Sequence, residues 1–135
     1  MSSNLDLVRS IYANWERGDF HRTDWVDPQI EFDVIGSVEA SEPTRGLGGM
    51  AHGFRDFLST WADYRVRADE YRELDSERVL VLGHAASGRA KTSGMDIRQM
   101  GTSGATLFHI RDGKVTRLVI YPYADRALAD LGLED

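Results

Sequence analysis

Apolar and polar positions along this chain follow two rhythms, one helical and one of strict alternation. Leu5, Val8, Ile11, Tyr12 and Trp15 recur every three or four residues, which predicts a helix with one apolar face. Ser2, Ser3 and Asn4 can cap its start, and Gly18 after Arg17 marks its end. Residues 19–25 predict a further short helical turn aimed inward by Phe20 and Trp25 and broken by Asp27-Pro28. Residues 29–35 alternate Ile30, Phe32 and Val34 against Gln29, Glu31 and Asp33, the pattern of a strand. Residues 36–46 hold Ser, Pro and Gly without periodicity and predict a loop. Helical spacing returns over residues 47–64, with Met50, Phe54, Phe57, Leu58 and Trp61 on one face.

The remainder reads as β-structure. Residues 65–74 form a strand of mixed polarity near a sheet edge, and residues 75–77 a turn. Residues 78–90 are apolar at consecutive positions, so both faces of that strand need cover. After a turn at 91–94, residues 95–110 form a strand that Gly101 and Gly104 should bend. Residues 105–123 carry the clearest local signal: two apolar runs rich in β-branched and aromatic residues flank Asp112-Gly113. That dipeptide tolerates the positive φ of a tight hairpin. Residues 124–133 close the chain with a short helix. Helices followed by an antiparallel meander predict an α+β fold, a single domain over residues 1–135 with its helices on one face of a curved sheet.

Composition narrows the function classes. Sixteen basic against twenty-two acidic residues leave a net charge of −6, the wrong sign for neutralising nucleic-acid phosphates. No basic run suggests an anionic membrane surface, and no apolar segment reaches the roughly 20 residues that span a bilayer. The absence of Cys excludes disulfides, thiolate metal ligands and a cysteine nucleophile, and with no signal-peptide pattern at residues 1–10 the expected location is the cytoplasm. No His, Asp and Glu stand at metal-ligand spacing, and the glycines at 46–49 lack the Lys and Ser/Thr of a phosphate loop, so neither metal nor cofactor is expected.

The order of several motifs resembles the nuclear transport factor 2-like superfamily, and within it the SnoaL-like and ketosteroid-isomerase-like proteins. The residues that carry the resemblance are Ile11-Tyr12, Gly18-Asp19-Phe20, Asp27-Pro28 with Ile30-Glu31-Phe32-Asp33, and Pro43-Thr44-Arg45-Gly46 before a helix ending Phe57-Leu58. Residues 107–115 and 121–128 complete it. The resemblance implies a cone: a curved antiparallel sheet wrapped around N-terminal helices, enclosing an apolar pocket. Counting against that family puts Thr106, Phe108, Ile110, Leu118, Ile120 and Pro122 inside, together with Leu80, Leu82, His84 and Ala86. The expected wall is Tyr12, Trp15, Trp25, Phe32, Phe54, Trp61, Leu82, Thr106, Phe108 and Ile120.

Two residues carry the expected chemistry. Asp33 falls where ketosteroid isomerases hold their catalytic base, although alternation along 29–35 places it with Gln29 and Glu31 on the polar side. In an apolar cavity its raised pKa would suit it to take a proton beside a carbonyl. His84 interrupts an apolar strand and reads either as a donor to a substrate oxygen or as a core histidine satisfied by a neighbour. The family's second acid maps to Thr106. These features lead to two expectations: a cofactor-independent isomerase, cyclase or dehydratase acting by proton transfer on an apolar carbonyl or polyketide-like molecule, or a non-catalytic module that holds a small apolar ligand. The outward set Val79, Val81, Gly83, Ala85, Leu107, Val115, Val119 and Tyr121 would leave an apolar sheet face with no helix to cover it, which predicts a homodimer through that convex face.

Overall fold

The computed structural model describes residues 3–19, 24–34, 44–46, 48–51, 61–90, 103–121 and 123–133. Helix α1 (Ser3–Glu16) forms where the helical spacing predicts, and Val8, Ile11, Tyr12 and Trp15 are buried along one face. It ends as Gly18 allows. With φ at +82° this glycine turns the chain, so its amide bonds to the Trp15 carbonyl at 2.9 Å and the Asp19 amide reaches back to Asn14 at 2.9 Å.

Among the described residues six strands follow: β1 (Val26–Val34), β2 (Thr44–Arg45), β3 (Trp61–Glu73), β4 (Arg78–Ala90), β5 (Ser103–Arg111) and β6 (Lys114–Tyr121), with helix α2 (Ala124–Asp130) after them. They form one sheet in the order β2-β1-β6-β5-β4-β3. The architecture is α+β as expected, with one departure from a pure meander: β1 pairs with β6 in parallel, and the other neighbours are antiparallel. The hairpin between β5 and β6 turns on Asp112 and Gly113, at φ 53° and 75°, and pairs Arg111 with Lys114.

Boundaries differ in two places. Strand β1 starts at Val26, so Asp27-Pro28 lies inside it rather than ahead of it. Residues 48–51 are helical, but the helix expected over 47–64 does not reach its end, because Trp61 to Tyr64 already belong to β3. Across the sheet Trp61 pairs with Ala90, and a ladder partner outweighs helical spacing. The strand expected at 95–102 and the turn at 91–94 lie outside the described residues.

Alternation divides the sheet into two faces. The α1 face gathers Val26, Ile30, Phe32, Val79, Val81, Phe108, Ile110, Val115 and Leu118 against the helix. The opposite face gathers Leu80, Ala105, Leu107, Val119 and Tyr121 under Ala127 and Leu128 of α2. This corrects the assignment of sides on β4. Leu80, Leu82 and His84 were expected inside and Val79 and Val81 outside, but directly paired residues share a face, and Val79 pairs with Phe108 and Val81 with Thr106. Phe108 is packed against α1, so Val79 and Val81 join it, and Leu80 and Leu82 turn to the α2 side. Val115 also moves inside. Between His109–Arg117 and Ile110–Val115 the register slips, leaving Thr116 as an extra residue that reverses the alternation.

The apolar face thought to await a partner therefore has a different membership and its own cover. The terminal helix α2 packs on the side of the sheet away from α1 and buries Leu80, Leu107, Val119 and Tyr121.

Candidate functional site

The α1 face holds one concentrated aromatic assembly. Helical spacing on α1 delivers Tyr12 and Trp15 to the same side, and alternation on β5 delivers Thr106 and Phe108 opposite them. The Tyr12 ring lies 5.0 Å from Trp15, 6.1 Å from Phe108 and 6.2 Å from Tyr71, the latter two edge-on. Trp15 stacks on Phe108 at 5.9 Å and meets Trp25 edge-on at 6.2 Å. Such contacts fix ring orientation, because each quadrupole favours edge or offset approach.

Inside this assembly the Tyr12 hydroxyl and Thr106 Oγ1 stand 2.8 Å apart, and either can donate. Thr106 is the one buried side chain of polar type among the described residues, at 6% exposure. A hydroxyl in apolar surroundings needs a partner, since burial without one costs about 1–3 kcal/mol. Here one hydroxyl donates to the other, and either can be the donor because each proton can swing. Burial, with the nearby Glu16 carboxylate next, raises the pKa of the Tyr71 phenol in the same assembly, while Arg9 works against them. Arg9 stacks 5.3 Å above the Tyr71 ring.

Of the residues expected to line a pocket, Tyr12, Trp15, Trp25, Phe32, Thr106 and Phe108 meet in this one cluster or bond into it, and Ile120 packs against it half-buried. Leu82 does not. It lies on the α2 face, for the register reason given above. Phe54, Pro122 and the side chains of Trp61 and Ala86 lie outside the described residues.

The two residues expected to carry chemistry stand elsewhere. Asp33 pairs with Val119 of the α2 face, whereas its neighbour Phe32 pairs with Leu118 of the α1 face. The polar reading from alternation along β1 is the one the ladder obeys. His84 shares the parity of Leu80 and Leu82, and its Nδ1 lies 2.9 Å from Asp69 Oδ2 on β3. Strands β6 and β5 separate Asp33 from His84, and three strand spacings amount to about 14 Å. Both lie on the α2 face, across the sheet from the Tyr12–Thr106 pair.

Tyr71 is the member of the aromatic assembly that sequence reading missed. On β3 the register shifts between Ala68 and Glu70, with Asp69 as the additional residue. Val66 and Ala68 sit on even positions of the α1 face, and after the bulge Tyr71 continues that face on an odd one. No short sequence pattern marks that change of parity. Among the described residues no group of three or more His, Cys, Asp or Glu could hold a metal ion, and no helix is long and apolar enough to cross a membrane.

A family model described as the SnoaL-like domain matches residues 8–118. Among curated proteins nothing matches. Solved structures share the fold. An NTF2-like protein of unknown function from Burkholderia pseudomallei is 18% identical at a TM-score of 0.75, covering 96% of this chain and 97% of that one. TerC, co-crystallised with polyporic acid, is 19% identical at a TM-score of 0.69, with 96% and 98% covered. A candidate polyketide cyclase from Xanthomonas campestris pv. campestris is 18% identical at 0.67, with 94% and 95% covered.

Proposed function

The chain belongs to the SnoaL-like domain family, and from that premise we propose that its α1 face binds a small, largely apolar carbonyl compound and promotes proton transfer at the carbon beside the carbonyl. The observation that carries this reading is the 2.8 Å Tyr12–Thr106 pair held inside the aromatic assembly. The Tyr12 proton turns to the ligand oxygen, and Thr106 donates to the phenolic oxygen in its place. As the neighbouring carbon gives its proton to a water or buffer base that enters with the ligand, the charge that develops on the ligand oxygen is met by a donor chain already in position. The apolar surroundings of the pair strengthen that hydrogen bond. The earlier expectation of Asp33 as base and His84 as donor is set aside, because both stand on the α2 face. Structural neighbours described as candidate polyketide cyclases support a polyketide-like, carbonyl-bearing ligand class.

The test uses 2-tetralone, an apolar ketone with exchangeable α-protons, in deuterated buffer. Deuterium should enter the α-position faster with the protein than with buffer alone, and Tyr12→Phe should lower that rate by about tenfold or more. A ligand-holding module without chemistry is the second reading, favoured by the mutual satisfaction of the two hydroxyls. In that case 2-tetralone quenches Trp15 and Trp25 fluorescence and exchange stays at the buffer rate. Exchange that ignores Tyr12→Phe removes the hydroxyl pair from the mechanism.

A further inference from the structure

Cross-strand pairing lines up a row of polar side chains on the α2 face. Arg45 pairs with Glu31, Glu31 with Arg117, Arg117 with His109, and His109 with Arg78, from β2 across β1, β6 and β5 to β4. With the 75–77 turn and Arg111 this row borders a groove of about 690 Å³. Each carboxylate along it already has a cation: Glu31 holds Arg45 at 2.8 Å, Asp75 holds Arg78 at 2.7 Å, and Glu77 holds Arg111 at 3.2 Å. Arg117 is the cation left over. It is half-buried, it makes no ion pair among the described residues, and its Nε is buried without a hydrogen-bond partner. Of its two ladder neighbours, His109 offers no negative charge and Glu31 is already ion-paired with Arg45.

A half-buried guanidinium with no ion pair among the described residues and a buried, unbonded Nε is costly, so an anion that enters the groove gains from both deficits. We propose that this groove is a binding site for a small monocarboxylate, with Arg117 as its anchor. A carboxylate is the fitting class because its two oxygens match the planar fork of a guanidinium. A single charge fits because one cation is uncompensated, and the three nearby acids repel a dianion. Turning the guanidinium about its terminal bond toward the bound oxygens would also relieve Nε. The groove lies across the sheet from the Tyr12–Thr106 pair, so it is independent of the reading of that site.

His109 reports on occupancy. Burial lowers the pKa of its imidazole, and Arg117 and then Arg78 lower it further, against smaller opposing effects of Asp75 and Glu77. A carboxylate on Arg117 masks the repelling charge and should move His109 upward. The experiment is an NMR pH titration of the His109 ring in the intact protein with sodium acetate, exchanged against sodium chloride at constant ionic strength. Acetate should shift the ring signals saturably and raise the His109 pKa, and chloride should not. Arg117→Gln should weaken acetate binding about tenfold or more, and Arg117→Lys should restore part of it. An unmoved His109, an equal response to chloride, or unchanged affinity in Arg117→Gln overturns the assignment. Should Arg117→Gln fail to fold, the wild-type titration decides alone. Light scattering covers the remaining source of a carboxylate, a second copy of the chain: a dimer that acetate dissociates would also overturn it.

Discussion

At the scale of single residues, close approach matters more than residue type. Gly83 is buried in β4, and a Cβ built there would sit 2.4 Å from the Arg67 carbonyl oxygen of β3. Backbone cannot yield as a flexible side chain does, so Gly83→Ala should destabilise by about 1–3 kcal/mol in urea unfolding. Gly48 is the contrast: it is helical with open space around its Cα, and Gly48→Ala should leave stability unchanged or raise it by less than about 1 kcal/mol. His109 adds a pH dependence. Its folded pKa lies below the ordinary 6.5, so the unfolded chain takes up a proton first as the medium is acidified. The stability owed to neutral His109 is therefore complete above about 6.5 and is lost as pH falls from there to the lowered folded value. Denaturant midpoints measured across that range should fall less steeply for His109→Gln. Equal slopes for the two proteins would show that the residue does not contribute.

At the scale of elements, α2 does more than end the chain. Its Ala127 and Leu128 close over Leu80, Leu107, Val119 and Tyr121, and Leu74, Leu82, Leu131 and Leu133 pack around them. Leu128 is 6% exposed, and Leu128→Asp would place a carboxylate in that contact. A loss of about 3–5 kcal/mol and the binding of a hydrophobic dye are expected, since the lost packing and the buried charge act in the same direction. Retention of wild-type stability would mean that α2 does not hold this face. Strand β4 carries Val79 and Val81 to α1 and Leu80 to α2, all fully buried, which is why its sequence is apolar without alternation. The bulges at Asp69 and Thr116 do the complementary work, shifting parity so that Tyr71 and Val115 reach the α1 core.

At the scale of the whole molecule, one sheet separates two chemically different sides. The α1 side is aromatic and carries a buried hydroxyl pair, and the α2 side is apolar under its helix and lined with Arg, Glu and His elsewhere. The homodimer expected from an uncovered sheet face has lost its stated motive, since α2 covers the centre of that face. Light scattering at micromolar concentration should then give either a mass near 15.2 kDa or a dimer that weakens as salt rises. A salt-insensitive dimer would point back to apolar contact.

Helix α1, its glycine stop, the Asp112-Gly113 hairpin and the α+β order were all legible in the sequence. Each rests on spacing or turn chemistry within a few residues, where the chain itself carries the information. The inward side of β5 and the aromatic members Tyr12, Trp15, Trp25, Phe32 and Phe108 were legible for the same reason. The sides of β4, and with them the places of His84 and Leu82, were decided by pairing with β5. A strand buried on both faces has no polar phase to read. Asp33 was legible as polar from its own alternation, and the pairing with Val119 upheld that against its expected catalytic place. The partners of the Tyr12 hydroxyl and of Arg117 were also beyond the sequence. Tyr12 and Thr106 are 94 residues apart, and Arg117 meets His109 and Glu31 only because β6 lies between β5 and β1. A bulge changes parity by one residue, and only the assembled ladder shows where it falls.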